Sequence, residues 1–131
     1  MKLTSNMEDY LEAISFCADE KGMARVSDIR DLLGVKTPSV TGAMKALAQE
    51  GYVLHEPYSG ITLTAKGKRA AEEVKRRHAI FSRFLVEVLG VNPKTAEKDA
   101  CRMEHVVSKE TMEKLHAYLH RQTDKIGRAH V

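Results

Sequence analysis

Apolar residues recur at helical spacing along most of this chain and at closer spacing in one short stretch. Over residues 6–20, Met7, Tyr10, Leu11, Ile14 and Cys17 form one stripe, which predicts a first helix capped by Ser5 or Asn6 and stopped by Gly22. A second, short helix is expected over 27–33, with Ser27 as cap, Gly34 as stop, and Ile29, Leu32 and Leu33 facing inward. After the turn Gly34-Val35-Lys36, Thr37 caps a third helix and Pro38 takes its first position, where a missing N–H costs nothing. Val40, Ala43, Met44 and Leu47 face the core of that helix. Pro38, Thr41, Gly42 and Lys45 point away, with Ser39 near the N-terminus. Two short helices with a tight turn, the second small and polar outside, make a helix-turn-helix pattern.

The period then changes. Residues 52–56 and 61–64 read as two short strands joined by Pro57-Tyr58-Ser59-Gly60, and a hairpin directly after a recognition-type helix is a wing. The small side chains Ser39 and Thr41, with Pro38, Gly42 and Lys45, are expected in a DNA major groove, and the wing tip Ser59-Gly60 near the backbone. A long helix follows over 65–89, ended by Gly90, with Val74, Phe81, Phe84, Leu85 and Val88 on its stripe and His78 among them. Its cations Lys66, Lys68, Arg69, Lys75, Arg76 and Arg77 lie where a phosphate backbone could run, although such runs are usually only a solvated face. Two further helices are expected over 93–107 and 108–122, the latter with Met112, Leu115 and Leu119 inward. They are too short to close a core alone, so packing against a second copy is expected. The divisions are a DNA-binding domain at 1–72 and a helical domain at 73–125. Residues 126–131 read as a foreign tail, which would leave the natural C-terminus missing.

Composition narrows the class without naming it. With 131 residues, 43% hydrophobic and 30% charged, the chain supports one domain or two small ones with a solvated surface. No apolar run approaches membrane-spanning length and there is no signal-peptide pattern, so a cytoplasmic protein is expected. The cysteines, Cys17 and Cys101, stand far apart and argue against a disulfide framework. A net charge of +3 only weakly favours a polyanionic partner.

Candidate chemistry gathers at Cys101-Arg102-Met103-Glu104-His105. On a helix, Cys101, Glu104 and His105 share a face at i, i+3 and i+4, a thiol, carboxylate and imidazole suited to half of a transition-metal site. Glu97, four residues before Cys101, shares that face. The plainer alternatives are a buried cysteine and a solvated Glu-His pair. Asp9 and Glu12 stand at i and i+3 on the polar face of the first helix, where carboxylates also simply complement the helix dipole. His78 on an apolar stripe is more often a core residue than a ligand. His116 and His120, at i and i+4, read as a surface pair.

The order of parts resembles the diphtheria toxin repressor family of metal-dependent transcriptional regulators, especially its short manganese-transport branch. The resemblance covers roughly residues 6–119. It rests on Met7-Glu8-Asp9-Tyr10-Leu11-Glu12, Ala24-Arg25-Val26-Ser27-Asp28-Ile29, Pro38-Ser39-Val40-Thr41, Leu63-Thr64-Ala65-Lys66-Gly67 and the stretch from Cys101 to Ser108. It implies a mainly α fold: an N-terminal winged helix-turn-helix DNA-binding domain, then an α-helical metal-binding and dimerisation domain. It implies that Asp9, Glu12, His78, Cys101, Glu104 and His105 are metal ligands. The expected ions are Mn(II) or Fe(II), with Zn(II) or Co(II) binding in vitro. A cation held by both halves would fix their angle and select a dimer whose recognition helices lie one DNA turn apart, about 34 Å.

The chain departs from each branch of that family. The manganese branch has glutamate at the position of Cys101. The iron branch has the cysteine but methionine at the position of Asp9. Ser82 replaces a glutamate ligand of the iron branch's second site, and Glu97 falls where that branch has histidine. The SH3-like third domain of longer members has no counterpart.

The expected function is a homodimeric repressor of metal-uptake genes, bound to a palindromic double-stranded operator, with no membrane partner and no small-molecule substrate. Two other classes make different demands on the chain. A winged-helix regulator sensing a small organic ligand would require an apolar pocket. A dinuclear metal enzyme of the four-helix type needs Glu-x-x-His repeats, whereas Glu104 and His105 are adjacent, so no enzyme is expected.

Overall fold

The structure, a computed structural model, describes residues 3–56 and 60–129, the stretch 122–129 as backbone only. The expected DNA contact at Ser59 and the last two residues of the tail lie outside the described residues. The chain divides into two units between Val74 and Lys75.

In the first unit, α1 (Ser5–Lys21) starts one residue earlier than expected, because Thr4 is the cap and its hydroxyl accepts from the Met7 amide at 3.2 Å. Gly22 ends it in the left-handed conformation, at φ 83°. Tyr10, Leu11, Ile14 and Cys17 are buried, as their spacing requires. Helix α2 (Val26–Leu33) is not capped by Ser27: the Asp28 carboxylate reaches back to the Arg25 amide at 3.2 Å and takes Lys21 Nζ at 3.1 Å on its other oxygen. Ile29 is fully buried, but Leu32 is 50% exposed, so the inward stripe of this short helix is narrower than expected. Helix α3 (Thr37–Gln49) follows Lys36, with Pro38 in its first turn, and buries Val40, Ala43, Met44 and Leu47.

Strands β1 (Val53–Glu56) and β2 (Gly60–Leu63) pair antiparallel, with Val53 opposite Leu63 and His55 opposite Ile61. A further bridge, Ala24 to Ile61, ties the segment before α2 to the wing through backbone bonds of 2.9 and 2.7 Å. The wing's base is fastened by Thr64. Its hydroxyl donates to the Gly51 carbonyl at 2.6 Å and accepts from the Gly67 amide at 3.1 Å, which caps α4 (Ala65–Arg83). Gly67 is required by this join, since a Cβ there would collide with the Tyr52 carbonyl.

In the second unit, the expected straight helix to residue 89 instead widens into a π turn at Phe84–Val88, where the Leu89 amide bonds the Phe84 carbonyl at 3.3 Å. The inserted residue rotates the stripe, leaving Val88 and Leu89 exposed while Phe81 and Leu85 remain buried. Asn92 caps α5 (Pro93–Met103), accepting from the Lys94 amide at 2.9 Å. This helix stops well before residue 107, so Glu104 is its C-cap and His105 sits in the following turn rather than on the helix. Ser108 caps α6 (Lys109–Ala129), which runs past residue 122, where the sequence holds no proline to stop it. Ile80, Phe81, Leu85, Ala96, Ala100, Met112 and Leu119 form this unit's core. Among the described residues, no helix is long and apolar enough to cross a membrane.

Candidate metal centre and DNA-contacting face

The second unit is built around Glu104. Its side chain is wholly buried. It stands at the C-terminal end of α5, where the helix dipole disfavours an anion. Burial and dipole both act against this carboxylate, so it needs compensating cations or donors. An imidazole stands at each of its oxygens, and the one from His78 is hydrogen-bonded to it. His78 Nδ1, from α4, lies 2.8 Å from Glu104 Oε2, and His105 Nε2 lies 3.3 Å from Glu104 Oε1. The other ring nitrogen of His78, Nε2, lies 2.9 Å from Glu97 Oε1. Glu97 is mostly exposed, whereas His78 and His105 are largely buried.

His78 therefore has a carboxylate at each ring nitrogen, the arrangement of a doubly protonated imidazolium. Burial alone would lower its pKa, but the hydrogen bond to Glu97 and the charges of Glu104 and Glu97 outweigh it, and the net shift is upward. Cys101 completes the cluster: one donor atom each from His78, Cys101 and Glu104 lie within 4.8 Å of one another. Cys101 is exposed and its thiol is free of any disulfide. Nitrogen, carboxylate oxygen and sulfur converging on a buried carboxylate fit a divalent transition ion.

Spacing alone marks His78 as a core residue, but its ring does more than pack. Both of its polar atoms are engaged, one by a residue 26 positions away. Glu97 shares a helix with Cys101, and its bond to His78 links α5 to α4. In the first unit, Asp9 and Glu12 lie one turn apart on α1, both half-buried, beside the buried Glu8. These two carboxylates are thus not on a fully solvated face.

The outward face of α3 matches the sequence pattern: Pro38, Ser39, Thr41, Gly42 and Lys45 are all exposed. The Thr41 hydroxyl donates back along the helix, to the Pro38 carbonyl at 3.1 Å. Gly60 has a role within the fold: at φ 95° it suits glycine, and a Cβ there would press on Met23 Sδ. The basic stretch of α4 is partly spent inside the protein. Lys66 donates to the Glu50 carbonyl at 2.8 Å and lies 4.3 Å from the Tyr52 ring centroid, and Arg76 pairs with Glu113 at 3.0 Å.

A winged helix-turn-helix followed by a helical unit that gathers imidazole, carboxylate and thiol defines a metal-dependent DNA-binding regulator. Comparison with known proteins agrees. Residues 2–61 match the description "Iron dependent repressor, N-terminal DNA binding domain". Residues 64–127 match "Iron dependent repressor, metal binding and dimerisation domain". The chain is 38% identical over 125 residues to an uncharacterized HTH-type transcriptional regulator of Methanocaldococcus jannaschii, covering 95% of this chain and 100% of that protein. It is 44% identical over 107 residues to the transcriptional regulator MntR of Escherichia coli, covering 82% of this chain and 68% of that protein. A solved manganese-dependent transcriptional repressor in complex with manganese superposes with a TM-score of 0.75 at 31% identity, covering 86% of this chain and 51% of that one. The chain belongs to the iron-dependent repressor family of metal-responsive transcriptional repressors, which are DNA-binding regulators and not enzymes.

Proposed function

We propose that this chain works in the cytoplasm as a homodimer that binds a palindromic operator and represses metal-uptake genes, with Mn(II) or Fe(II) as corepressor. The observation that carries this is the buried Glu104 at a helix C-terminus between His78 and His105. Asp9, Glu12, His78, Cys101, Glu104 and His105 hold the ion. When bound, a divalent cation supplies positive charge to carboxylates that otherwise depend on imidazoles. Pro38, Ser39, Thr41, Gly42 and Lys45 face the major groove, and Ser59 and Gly60 of the wing the DNA backbone.

The test is binding to operator fragments titrated separately with Mn(II), anaerobic Fe(II), Zn(II) and no metal. Activation by a divalent ion supports the proposal, and equal affinity in chelator and in Mn(II) overturns it. Affinity falls steeply with salt, as it does when several phosphates are contacted.

The preferred ion is set by Cys101. Aspartate and glutamate suit hard Mn(II), whereas a thiolate shifts preference towards Fe(II), and makes Zn(II) and Co(II) tight binders in vitro. Cys101→Glu then raises activation by Mn(II) relative to Fe(II). Unchanged selectivity in a stable Cys101→Ser variant removes Cys101 from the ligand set.

A further inference from the structure

Between α3 and the wing runs an open groove of about 420 Å³, lined by Thr41, Met44, Lys45, Ala48, Gln49 and His55. His55 belongs to β1, two residues beyond the buried Val53, so both side chains project from the same side of the strand. The walls carry an ammonium, an imidazole and a side-chain amide, and among the described residues no carboxylate lines the groove. Ala48 is exposed and small, which keeps it open. Such a cleft favours an anion, and it adjoins Thr41 and Lys45, which belong to the face turned towards DNA.

We infer that this groove seats a phosphate of the DNA strand as it leaves the major groove, and that His55 donates a hydrogen bond to it. The inference rests on the DNA-binding reading and adds a contact outside the recognition helix. A phosphate contact holds the protein in register but does not read bases. Loss of His55 must therefore weaken binding to every sequence alike.

The full-length chain is tested against a mixed-sequence duplex at low salt and against a duplex selected for tight binding, in chelator and in Mn(II). His55→Ala is expected to weaken both duplexes by about tenfold, the worth of a hydrogen bond to a charged acceptor. Ala48→Glu, which adds a carboxylate at an exposed position on a helix, is expected to weaken both roughly hundredfold through like-charge repulsion. Thermal melting checks that both variants stay folded. A loss confined to the selected duplex overturns the phosphate assignment in favour of base contact. Unchanged binding by either folded variant overturns the groove altogether, as does a wild-type chain that binds no duplex. The metal-dependent reading is judged separately, from the wild type's own ratio between chelator and Mn(II).

Discussion

Replacing Gly42 with alanine separates what the fold needs from what DNA needs. Gly42 lies inside α3, where glycine costs about 0.8–1.0 kcal/mol relative to alanine. Among the described residues nothing repays that cost: a Cβ at this position would meet no atom within 4 Å beyond the helix's own backbone. No burial is gained either, because the position is exposed. Gly42→Ala should therefore stabilise the protein by about 1 kcal/mol, raising the melting temperature by about 4–8 °C for a unit of this size. The added methyl group projects from the same face as Thr41 and Lys45. If DNA approaches closely there, one extra carbon forces a shift whose cost in packed interfaces is about 1–3 kcal/mol, or roughly fivefold to a hundredfold in affinity. The assay pairs thermal melting in chelator with fluorescence anisotropy on a selected duplex in Mn(II). Higher stability with weaker DNA binding is the expected outcome. Higher stability with unchanged binding would refute the close approach of α3, and lower stability would refute the account of Gly42 within the helix.

The same substitution at Gly67 carries the opposite sign: Gly67→Ala should destabilise by about 3 kcal/mol or more, read by urea unfolding, because the new carbon meets the rigid Tyr52 carbonyl. Glu104→Gln keeps the side chain's size but removes the charge facing His78, so stability in chelator should fall by about 1.5–3 kcal/mol, the worth of a hydrogen bond to a charged group. The stabilisation given by Mn(II), about 2.7 kcal/mol at a hundredfold excess over Kd, should disappear, and a variant that Mn(II) stabilises as well as wild type would remove Glu104 from the ligand set. His78 has a raised pKa, so in chelator its pairing stabilises fully below its unfolded value of about 6.5 and is lost as pH climbs through the folded value. Mn(II) affinity must follow the other direction, increasing with pH as the imidazole gives up its proton, and calorimetric titration across that window checks both slopes.

What could be read from the residues depended on whether a local rule reached them. The stripes of α1 and α3 were legible because each helix buries a single face at regular spacing. Caps were less so: Thr4, Ser5 and Asn6 are all competent, and only the geometry selects Thr4. In α2 a carboxylate at the third position took the role expected of Ser27. The bridge from Ala24 to Ile61 had no pattern to announce it, since one residue has no periodicity. The π turn was hidden because Phe84-Leu85-Val86 is apolar in any phase. No breaker marks the end of α5 at Met103 either, so the expected shared helical face of Cys101, Glu104 and His105 is only partly realised. The bond from Glu97 to His78 joins two helices, and no sequence spacing encodes it.

The burial of Glu104 remains the decisive feature of the second unit. A fully buried ion pair is a weak source of stability, because desolvation offsets most of its Coulombic gain, and apolar replacements of similar volume are often neutral or better. Here the balance is worse than usual, since the carboxylate also sits at the negative end of α5. His78 offsets this with one ring nitrogen at Glu104 and the other at the exposed Glu97, an arrangement that favours its protonated form, and His105 adds a second imidazole nearby. Folding alone supplies no reason to keep a carboxylate there. A role in which the proton on His78 is exchanged for a divalent cation supplies one. It also explains why the residues gathered around Glu104 are donors to metals as well as to protons.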